Sequence, residues 1–313
     1  MLSMCSQRTR KWISALRVRR YDLSITIQFH KTAFVQVVNK SANECFRSHA
    51  KSFAVPMIHS VRLEKSTIPM CFGKQGTIDW MNLYFDDRIE GLKIIAEYLC
   101  SLFEKDVSDL FLSSSLSPTG PQEVMKWVNE HQKGFHKIFI QCENISDTVA
   151  EYLFENMHHG KIVLFNFKLT PKFKAHFNFD GDVLQLRQVF WFTLENLMSI
   201  NCSKLIVKGS QLTIRDMNTF LKHWMSNDLK FGDVAIEIDA LNLEVLFNEI
   251  AVIEQNDDVR RFYKTIDDRT FAVFGGFDIQ RNDGMTATIV YNENLIETKA
   301  FWMIVWDNLC VVI

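Results

Sequence analysis

Several signatures of common protein classes are scarce in this 313-residue chain. Its 12 glycines and 5 prolines are few for the length, which disfavours long flexible linkers and turn-dense β-sandwiches. A net charge of −2 removes the electrostatic argument for a nucleic-acid partner, because phosphate binding needs a clustered basic surface. The hydrophobic fraction of 47% is ordinary for a globular protein, and the length is compatible with two domains.

The seven cysteines are widely scattered, and no C-x-x-C pair occurs among them. This pattern disfavours a disulfide framework or a structural zinc site and predicts buried free thiols. The sequence has no run of 18 apolar residues, and its first residues lack the apolar core of a secretory signal. We therefore expect a cytoplasmic or nuclear protein without a membrane partner.

Signatures of the common enzyme classes are also missing. The chain holds no phosphate-binding loop and no G-x-G-x-x-G, H-E-x-x-H or G-x-S-x-G motif. The histidine pair at 158–159 precedes Gly160 at a predicted helix end. Packing explains Lys222-His223-Trp224, because Phe220, Leu221, Trp224 and Met225 form an apolar helical stripe with polar neighbours. The acid pair Asp86-Asp87 is typical of a helix start or of a solvent-exposed position. We predict no catalytic, cofactor-binding or metal-binding residues. The alternative is an α/β enzyme with a site assembled from dispersed residues, which a deep pocket of converging titratable groups would favour.

Strand-like and helix-like segments alternate along most of the chain. Alternating β-branched residues predict strands over 21–27 and 33–38 that pair as a hairpin. A further strand over 78–85 leads into residues 89–105, whose apolar positions fall on one face of a helix. The local unit is thus a strand followed by a helix.

This strand–helix unit recurs from residue 107 onward. The predicted strands are centred on Leu110, Ile138, Leu164, Leu184, Leu205 and Ile236. Their separations of 20 to 31 residues are close to the period of leucine-rich repeats, although the strict consensus is absent. We predict an α/β fold, a leucine-rich-repeat-like open solenoid of strand–helix units. A closed or doubly wound α/β sheet is the competing arrangement.

The two ends of the chain have a different character. Residues 1–20 are basic, with apolar residues at helical spacing, which predicts a basic amphipathic helix or an organelle transit peptide. Near the other end, an acidic segment over 242–262 predicts a helix. Residues 269–291, with Asn282-Asp283-Gly284 at the centre, predict a β-hairpin, and 301–306 predict a strand that caps the repeats.

Two runs resemble the type 2 F-box-associated domain of a nematode-expanded family of F-box proteins. They are Ser199–Trp224, which includes Lys204-Leu205-Ile206-Val207-Lys208-Gly209, and Gly276–Ile289, which resembles the C-terminal hairpin of the family. With the preceding strand–helix units, the resemblance covers most of residues 107–306. Residues 4–12 resemble the closing part of the F-box itself, followed as in the family by Tyr21-Asp22-Leu23.

The resemblance implies the substrate-recognition subunit of a Skp–cullin–F-box ubiquitin ligase, which is not an enzyme itself. The F-box would hold a Skp-type adaptor, and the repeat-like domain would select a protein substrate. Because the pattern begins inside the F-box, adaptor binding is left open, as is the choice between a truncated gene model and a receptor that has lost its ligase link. Four positions could face the adaptor: Leu2, Cys5, Trp12 and Ile13.

The same resemblance implies an organisation of the chain into four parts. Residues 1–20 would be the remnant of the F-box C-terminal helix, and residues 21–106 an N-terminal α/β segment continuous with the repeats. Residues 107–306 would form the F-box-associated substrate-recognition domain, with the C-terminal hairpin as its cap, and residues 307–313 a tail.

Overall fold

A computed structural model of the chain describes residues 23–39, 42–51, 59–63, 66–75, 78–113, 117–143, 145–157, 160–175, 178–239, 241–265, 269–290 and 300–306. The chain folds into two compact units, Met1–Asn144 and Ile145–Ile313. Several expectations lie outside the described residues: the basic helix of residues 1–20, the adaptor-facing positions Leu2, Cys5, Trp12 and Ile13, the histidine pair at 158–159, and the tail 307–313.

The first unit is a mixed sheet with helices. Its strands are β1 (Ser24–Phe29), β2 (Phe34–Asn39), β3 (Ala42–Ala50), β4 (His59–Leu63), β5 (Ser66–Gln75), β6 (Ile78–Phe85), β7 (Asp109–Ser113) and β8 (Phe135–Cys142), and its helices are α1 (Arg88–Phe103) and α2 (Gly120–His131). The strand order β4-β5-β6-β3-β2-β1-β7-β8 is linear, so the described strands of this unit form an open sheet without barrel closure.

The predicted hairpin of the first unit is confirmed, since β1 and β2 pair in antiparallel register with Ile27 opposite Val35. β1 then pairs in parallel with β7, and β7 in parallel with β8, as expected for strand–helix units. Strands β3, β4 and β5 have no counterpart in the sequence-based prediction. β3 is rich in polar residues and is held by parallel pairing with the distant β6, for example Cys45 opposite Trp80.

Helix α1 begins at the acid pair, as predicted. The carboxylate of Asp87 accepts hydrogen bonds from the backbone N–H groups of Ile89 (2.7 Å) and Glu90 (2.9 Å), which satisfies two donors that the first helical turn leaves unpaired. The helix ends at Phe103, and Glu104 follows in the left-handed conformation with φ of 52°. Its buried stripe consists of Gly91, Leu92, Ile95, Ala96, Tyr98, Leu99 and Leu102.

The second unit contains the regular strand–helix succession. Its strands are β9 (Gly160–Phe167), β10 (Val183–Arg187), β11 (Lys204–Lys208), β12 (Asp233–Glu237), β13 (Ile253–Lys264), β14 (Thr270–Gln280), β15 (Thr286–Ile289) and β16 (Ala300–Trp306), and its helices are α3 (Asp147–Asn156), α4 (Leu194–Ser199), α5 (Ile214–Ser226) and α6 (Leu243–Leu246). The order is β9-β10-β11-β12-β16-β15-β14-β13. β9 to β12 are parallel and follow chain order without reversal, which differs from a doubly wound sheet.

Helices α3 and α5 pack on one face of this parallel set. Phe154 of α3 makes edge-on contact with Phe165 of β9, with ring centroids 5.2 Å apart, and Phe220 of α5 contacts Phe301 of β16 in the same way at 6.4 Å. The starts of α4 and α5 are fixed by capping boxes at Thr193 and Thr213. An α/β class with open sheets is therefore confirmed for the described residues.

The predicted helix over 242–262 is wrong. Asn242 caps only one helical turn, α6, and Glu249 then adopts the left-handed conformation with φ of 59°. From Ile253 the chain is strand β13, which pairs with β14 along most of its length. Aromatic and β-branched residues such as Val259 and Phe262 suit this pairing, which overrides the local acidic pattern.

The C-terminal hairpin is confirmed. β14 and β15 pair in antiparallel register around Asn282-Asp283-Gly284, where Gly284 has φ of 92°. β16 continues the sheet antiparallel to both β15 and β12, as the predicted capping strand requires. The guanidinium of Arg281 donates to Leu229 O at 2.9 Å and lies over the ring of Trp224, so the turn is tied to the end of α5.

A shift in pairing register divides the β13–β14 pair between Gln255 and Arg260, and we call residues 260–264 with 270–274, which pair beyond this shift, the arm. Opposite the shift, Gly275 and Gly276 have φ of 56° and 100°. A Cβ on Gly276 would lie 2.8 Å from Ile289 O, so this position requires glycine.

The arm covers a second, smaller core. Buried Val273 from the arm packs with Val290, Ile304 and Trp306, and Tyr263 lies against the same cluster. Beside it, the almost fully buried pair Arg261 and Asp278 is joined at 2.9 Å, and the carboxylate of Asp278 also accepts from Gln255 Nε2 at 2.8 Å. A buried ion pair of this kind needs such additional hydrogen bonds to offset its desolvation.

The described cysteines are free, as predicted, and Cys45, Cys142 and Cys202 are buried. Burial raises the pKa of Cys142 from 9.0 to about 12, and burial is also the main cause of the same rise at Cys202. A thiol held protonated in the folded state contributes stability that is complete below the unfolded-state pKa near 9.0 and is lost as the pH rises toward 12.

Replacing Cys142 by Ala should therefore flatten the fall of stability in alkaline solution. The free energy of unfolding of the unaltered chain should decrease above pH 9, with Cys142 contributing at most about 1.4 kcal/mol per pH unit. Urea unfolding at several pH values between 8 and 11 checks the slope. Ile140→Val is the control, because Ile140 is buried on the same strand as Cys142 and has no titrating group. Equal slopes for the C142A variant and the unaltered chain would contradict the expectation.

Candidate functional site

The face of β9–β12 and β16 opposite to helices α3 and α5 carries a row of partly exposed side chains. Strand registers place Leu164 beside Gln185, Gln185 beside Ile206, Ile206 beside Ala235, and Ala235 beside Trp302. Neighbours in this row point away from the helices, because successive side chains of a strand alternate between the two faces. We call these five residues the central row and the face that contains them the open face.

Polar side chains border the central row at the carboxyl ends of the strands. Arg187 lies between Asn166 and Lys208 in the strand register, and Glu237 follows on β12. The carboxylate of Glu237 accepts a hydrogen bond from the backbone N–H of Gly209 at 2.9 Å, which holds that loop against β12. The central row therefore has an apolar middle and a mixed, mainly basic border.

At the other border of the open face, the carboxylate of Asp233 joins three elements. It accepts hydrogen bonds from Trp302 Nε1 (2.7 Å) and Tyr263 OH (3.1 Å), and Lys204 Nζ lies 2.7 Å from it. The Asp233 side chain is only 4% exposed, so these contacts compensate a charge that is almost fully withdrawn from water. Asp233 thereby ties the arm to the central row through Tyr263 and Trp302.

A different kind of feature lies in the first unit, where a pocket of about 170 Å³ opens between α1, α2 and the segment before β7. Its floor includes the buried residues Ala96, Val107 and Val128, together with the Cys100 thiol. Its exposed residues are Glu97, Asp106 and His131. The described residues hold no group of three or more His, Cys, Asp or Glu side chains placed to bind a metal ion.

The chemistry of this pocket is limited by the state of its thiol. Burial, and then the negative charges of Asp106 and Glu97, raise the pKa of Cys100 to about 12. A thiol with such a pKa is protonated at neutral pH, whereas a cysteine nucleophile acts as the thiolate. The pocket does bring titratable groups together, as the enzyme alternative requires, but it supplies no activated cysteine.

The residues singled out for chemistry in the sequence have structural contacts where they are described. Lys222 Nζ pairs with Glu249 at 2.7 Å on the surface, and Trp224 is fully buried beneath the Arg281 guanidinium. The packing interpretation of residues 222–224 is confirmed. The central row was not singled out, although strand alternation marks its members, because alternation cannot tell which outward face stays uncovered.

Comparison with known proteins bears on the same part of the chain. Residues 170–230, which span β10, α4, β11 and α5, match the family described as F-box associated. The match covers 61 of the chain's 313 residues, so this segment is similar to the F-box-associated family. The matched segment includes the run Ser199–Trp224, and it contributes Gln185 and Ile206 to the central row. No solved structure gives a significant match.

Two nematode relatives extend the comparison. The Skn-1 dependent zygotic transcript 15 protein of Caenorhabditis elegans is 29% identical over 123 residues, which cover 36% of this chain and 32% of that protein. Uncharacterized protein F59B2.9 of the same organism is 22% identical over 254 residues, covering 74% of this chain and 55% of its own length. The matches thus span about a third and about half of these relatives. No described helix is long and apolar enough to cross a membrane.

Replacing Asp233 by Ala should loosen the arm. Tyr263 and Trp302 would lose their common acceptor and Lys204 its partner, which should lower the free energy of unfolding by about 1–3 kcal/mol. Hydrogen exchange measured by mass spectrometry should become faster in residues 260–264 and 270–274. Glu237→Ala, at the opposite end of β12, is the matched control and should leave the arm unchanged. Unaltered exchange in the arm of D233A would show that Asp233 does not hold it.

Proposed function

We propose that this chain recognises a protein partner through the open face of the second unit, as the substrate-reading part of an F-box receptor. One observation carries the proposal. The central row places Leu164, Ile206 and Trp302 on alternate strands of one sheet face, partly exposed, with only Gln185 and Ala235 between them, and α3 and α5 leave this face uncovered. Partly exposed apolar side chains in a contiguous group are a feature of protein-binding surfaces.

The composition of the open face also suits a protein partner. Protein interfaces combine an apolar centre with a polar border, and tryptophan and arginine are over-represented among their energetically dominant residues. Trp302 lies in the central row, and Arg187 lies on its border. The F-box-associated match covers two of the four parallel strands that build this face.

Finer assignments belong to the same proposal. We propose that the successive strand–helix units form a leucine-rich-repeat-like solenoid capped by the C-terminal hairpin, and that residues 107–306 act as the recognition domain. We further propose a role as the substrate-recognition subunit of a Skp–cullin–F-box ubiquitin ligase. Support for that role is the F-box-associated match over residues 170–230 together with the F-box-like residues 4–12.

Introducing a charge into the central row should weaken partner binding. Ile206→Glu would bury a carboxylate in the apolar centre of the interface and should weaken binding by roughly tenfold or more. Ile214→Glu is a matched control, because Ile214 is a partly exposed isoleucine at the start of α5, where a carboxylate is favourable. Circular dichroism should show that both variants remain folded.

The measurement compares the partners that both variants retain in cells. Proximity labelling with quantitative mass spectrometry identifies proteins lost from the I206E variant but kept by I214E, and titration of the purified chain with each candidate gives its affinity. An I206E chain that keeps every partner of the unaltered chain would exclude the open face as the recognition surface.

The proposed role in a ubiquitin ligase leads to a separate prediction about adaptor binding. Trp12→Ala should weaken binding of a purified Skp-type adaptor by at least tenfold, since large aromatic anchors dominate such contacts. Ser6→Ala in the same segment should have little effect. Isothermal titration of the adaptor with the unaltered chain and both variants measures this. Absence of adaptor binding by the unaltered chain would contradict the proposed ligase role. It would leave the proposal of recognition through the open face unaffected.

A further inference from the structure

We propose that the pocket between α1 and α2 is a second recognition site, which accepts a single basic side chain, lysine or arginine, of a partner protein. The pocket belongs to the first unit and shares no residue with the open face. The inference therefore goes beyond the proposed function and does not depend on it. Size, charge and the placement of helix ends each support this occupant.

The size of the pocket limits its occupant to about one side chain. A volume near 170 Å³ is well below the roughly 300–1,000 Å³ of sites that hold drug-sized ligands or cofactors. The floor contributed by Ala96, Val107 and Val128 is apolar and buried. An apolar floor suits the methylene stem of a long side chain, which lysine and arginine lay along apolar surface while the charged end stays at the solvent boundary.

The rim of the pocket is acidic. The carboxylates of Glu97 and Asp106 stand at its opening, and Trp127 Nε1 donates to Glu97 Oε1 at 2.9 Å, which fixes the position of that carboxylate. Both carboxylates also act on Cys100 as negative charges inside the pocket, although they are exposed themselves. Anionic groups such as phosphate or carboxylate would be repelled here, whereas a terminal cation would be attracted.

His131 also lies at this rim. Its Nδ1 lies 2.7 Å from the backbone carbonyl oxygen of Trp127, and a carbonyl only accepts, so Nδ1 carries a hydrogen. The other ring nitrogen, Nε2, lies 3.6 Å from Glu97 Oε1. The ring thus stands beside the Glu97 carboxylate, and a basic side chain that enters the pocket would compete with it for this carboxylate.

The carboxyl ends of two helices strengthen the negative electrostatic potential in the pocket. Helix α1 ends at Phe103 and α2 at His131, so the pocket residues Cys100 and Val128 belong to the last turns of their helices. The carboxyl end of a helix carries a partial negative charge. Helix α1 has no basic residue in its last turn to neutralise that charge. A basic side chain from a partner would supply the missing complement.

The test uses blocked tripeptides that differ only at the central side chain. Acetyl-Gly-Lys-Gly-amide, its arginine analogue and its norleucine analogue are titrated into the full ¹⁵N-labelled chain. The indole N–H signal of Trp127, assigned by its disappearance in Trp127→Phe, reports on the pocket. Lysine or arginine peptides should shift it saturably, with affinities in the millimolar range, and at least tenfold more tightly than norleucine.

Charge variants distinguish specific binding in the pocket from unspecific attraction of a cationic peptide to the chain. The double variant Glu97→Gln with Asp106→Asn keeps the side-chain sizes and the oxygen that accepts from Trp127 Nε1. Its affinity for the lysine peptide should be about tenfold lower than that of the unaltered chain. Glu123→Gln with Glu130→Gln, exposed acids of α2 outside the pocket, is the control with the same loss of charge. Ile206→Glu should leave peptide binding unchanged, which keeps this result independent of the open face.

Three outcomes would overturn the proposal. The norleucine peptide could bind as tightly as the lysine peptide, which would identify a merely apolar pocket. The E97Q/D106N and E123Q/E130Q variants could lose equal affinity, which would indicate a response to net charge alone. Saturating lysine peptide could also leave the Trp127 signal unmoved while it shifts signals elsewhere in the chain.

Discussion

Strands β9 to β12 must each bury one row of side chains beneath helices, and this requirement fixes the other features of the second unit. Val163, Leu184, Leu205 and Val234 are fully or almost fully buried on the helix side, so their neighbours in sequence necessarily face the opposite way. The composition of the open face is thus inseparable from the composition of the core. A shift of one residue in any strand would exchange the two faces and destroy both.

The arm depends on polar contacts as much as on apolar packing. Its apolar contribution is small, essentially Val273 and Tyr263 against the β15–β16 end of the sheet. Arg261 with Asp278, and Tyr263 with Asp233, place charged groups where little water reaches them. Such groups are costly when mispaired, so they favour one orientation of the arm over others more strongly than apolar contacts do.

Much of the regular structure could be predicted because its signals are local. Strand–helix units from β6 to β12 and the hairpin around Gly284 follow from periodicity and turn chemistry over short windows. Strands β3 to β5 and β13 escaped prediction because pairing with other strands decides them. The family resemblance implied a binding role, but it did not indicate which face of the sheet would be open.

The acidic pocket was outside the reach of sequence reasoning for a similar reason. Glu97, Asp106, Trp127 and His131 come from separate segments, and no spacing between them resembles a motif. Each has an ordinary local role, at a helix surface or beyond a helix end. Only the packing of α1 beside α2 brings them to one opening, so their common property is charge and not sequence pattern.

Strand β13 is the outermost strand in the order of the second unit, and this position carries a risk of aggregation. An outer strand with a regular, apolar edge can pair with the same strand of another molecule. Here the register breaks between Gln255 and Arg260, and the exposed carboxylates of Asp257 and Asp258 lie within the break. The irregular, charged edge opposes continued strand pairing, so the register break at the base of the arm also disfavours association of neighbouring molecules through this strand.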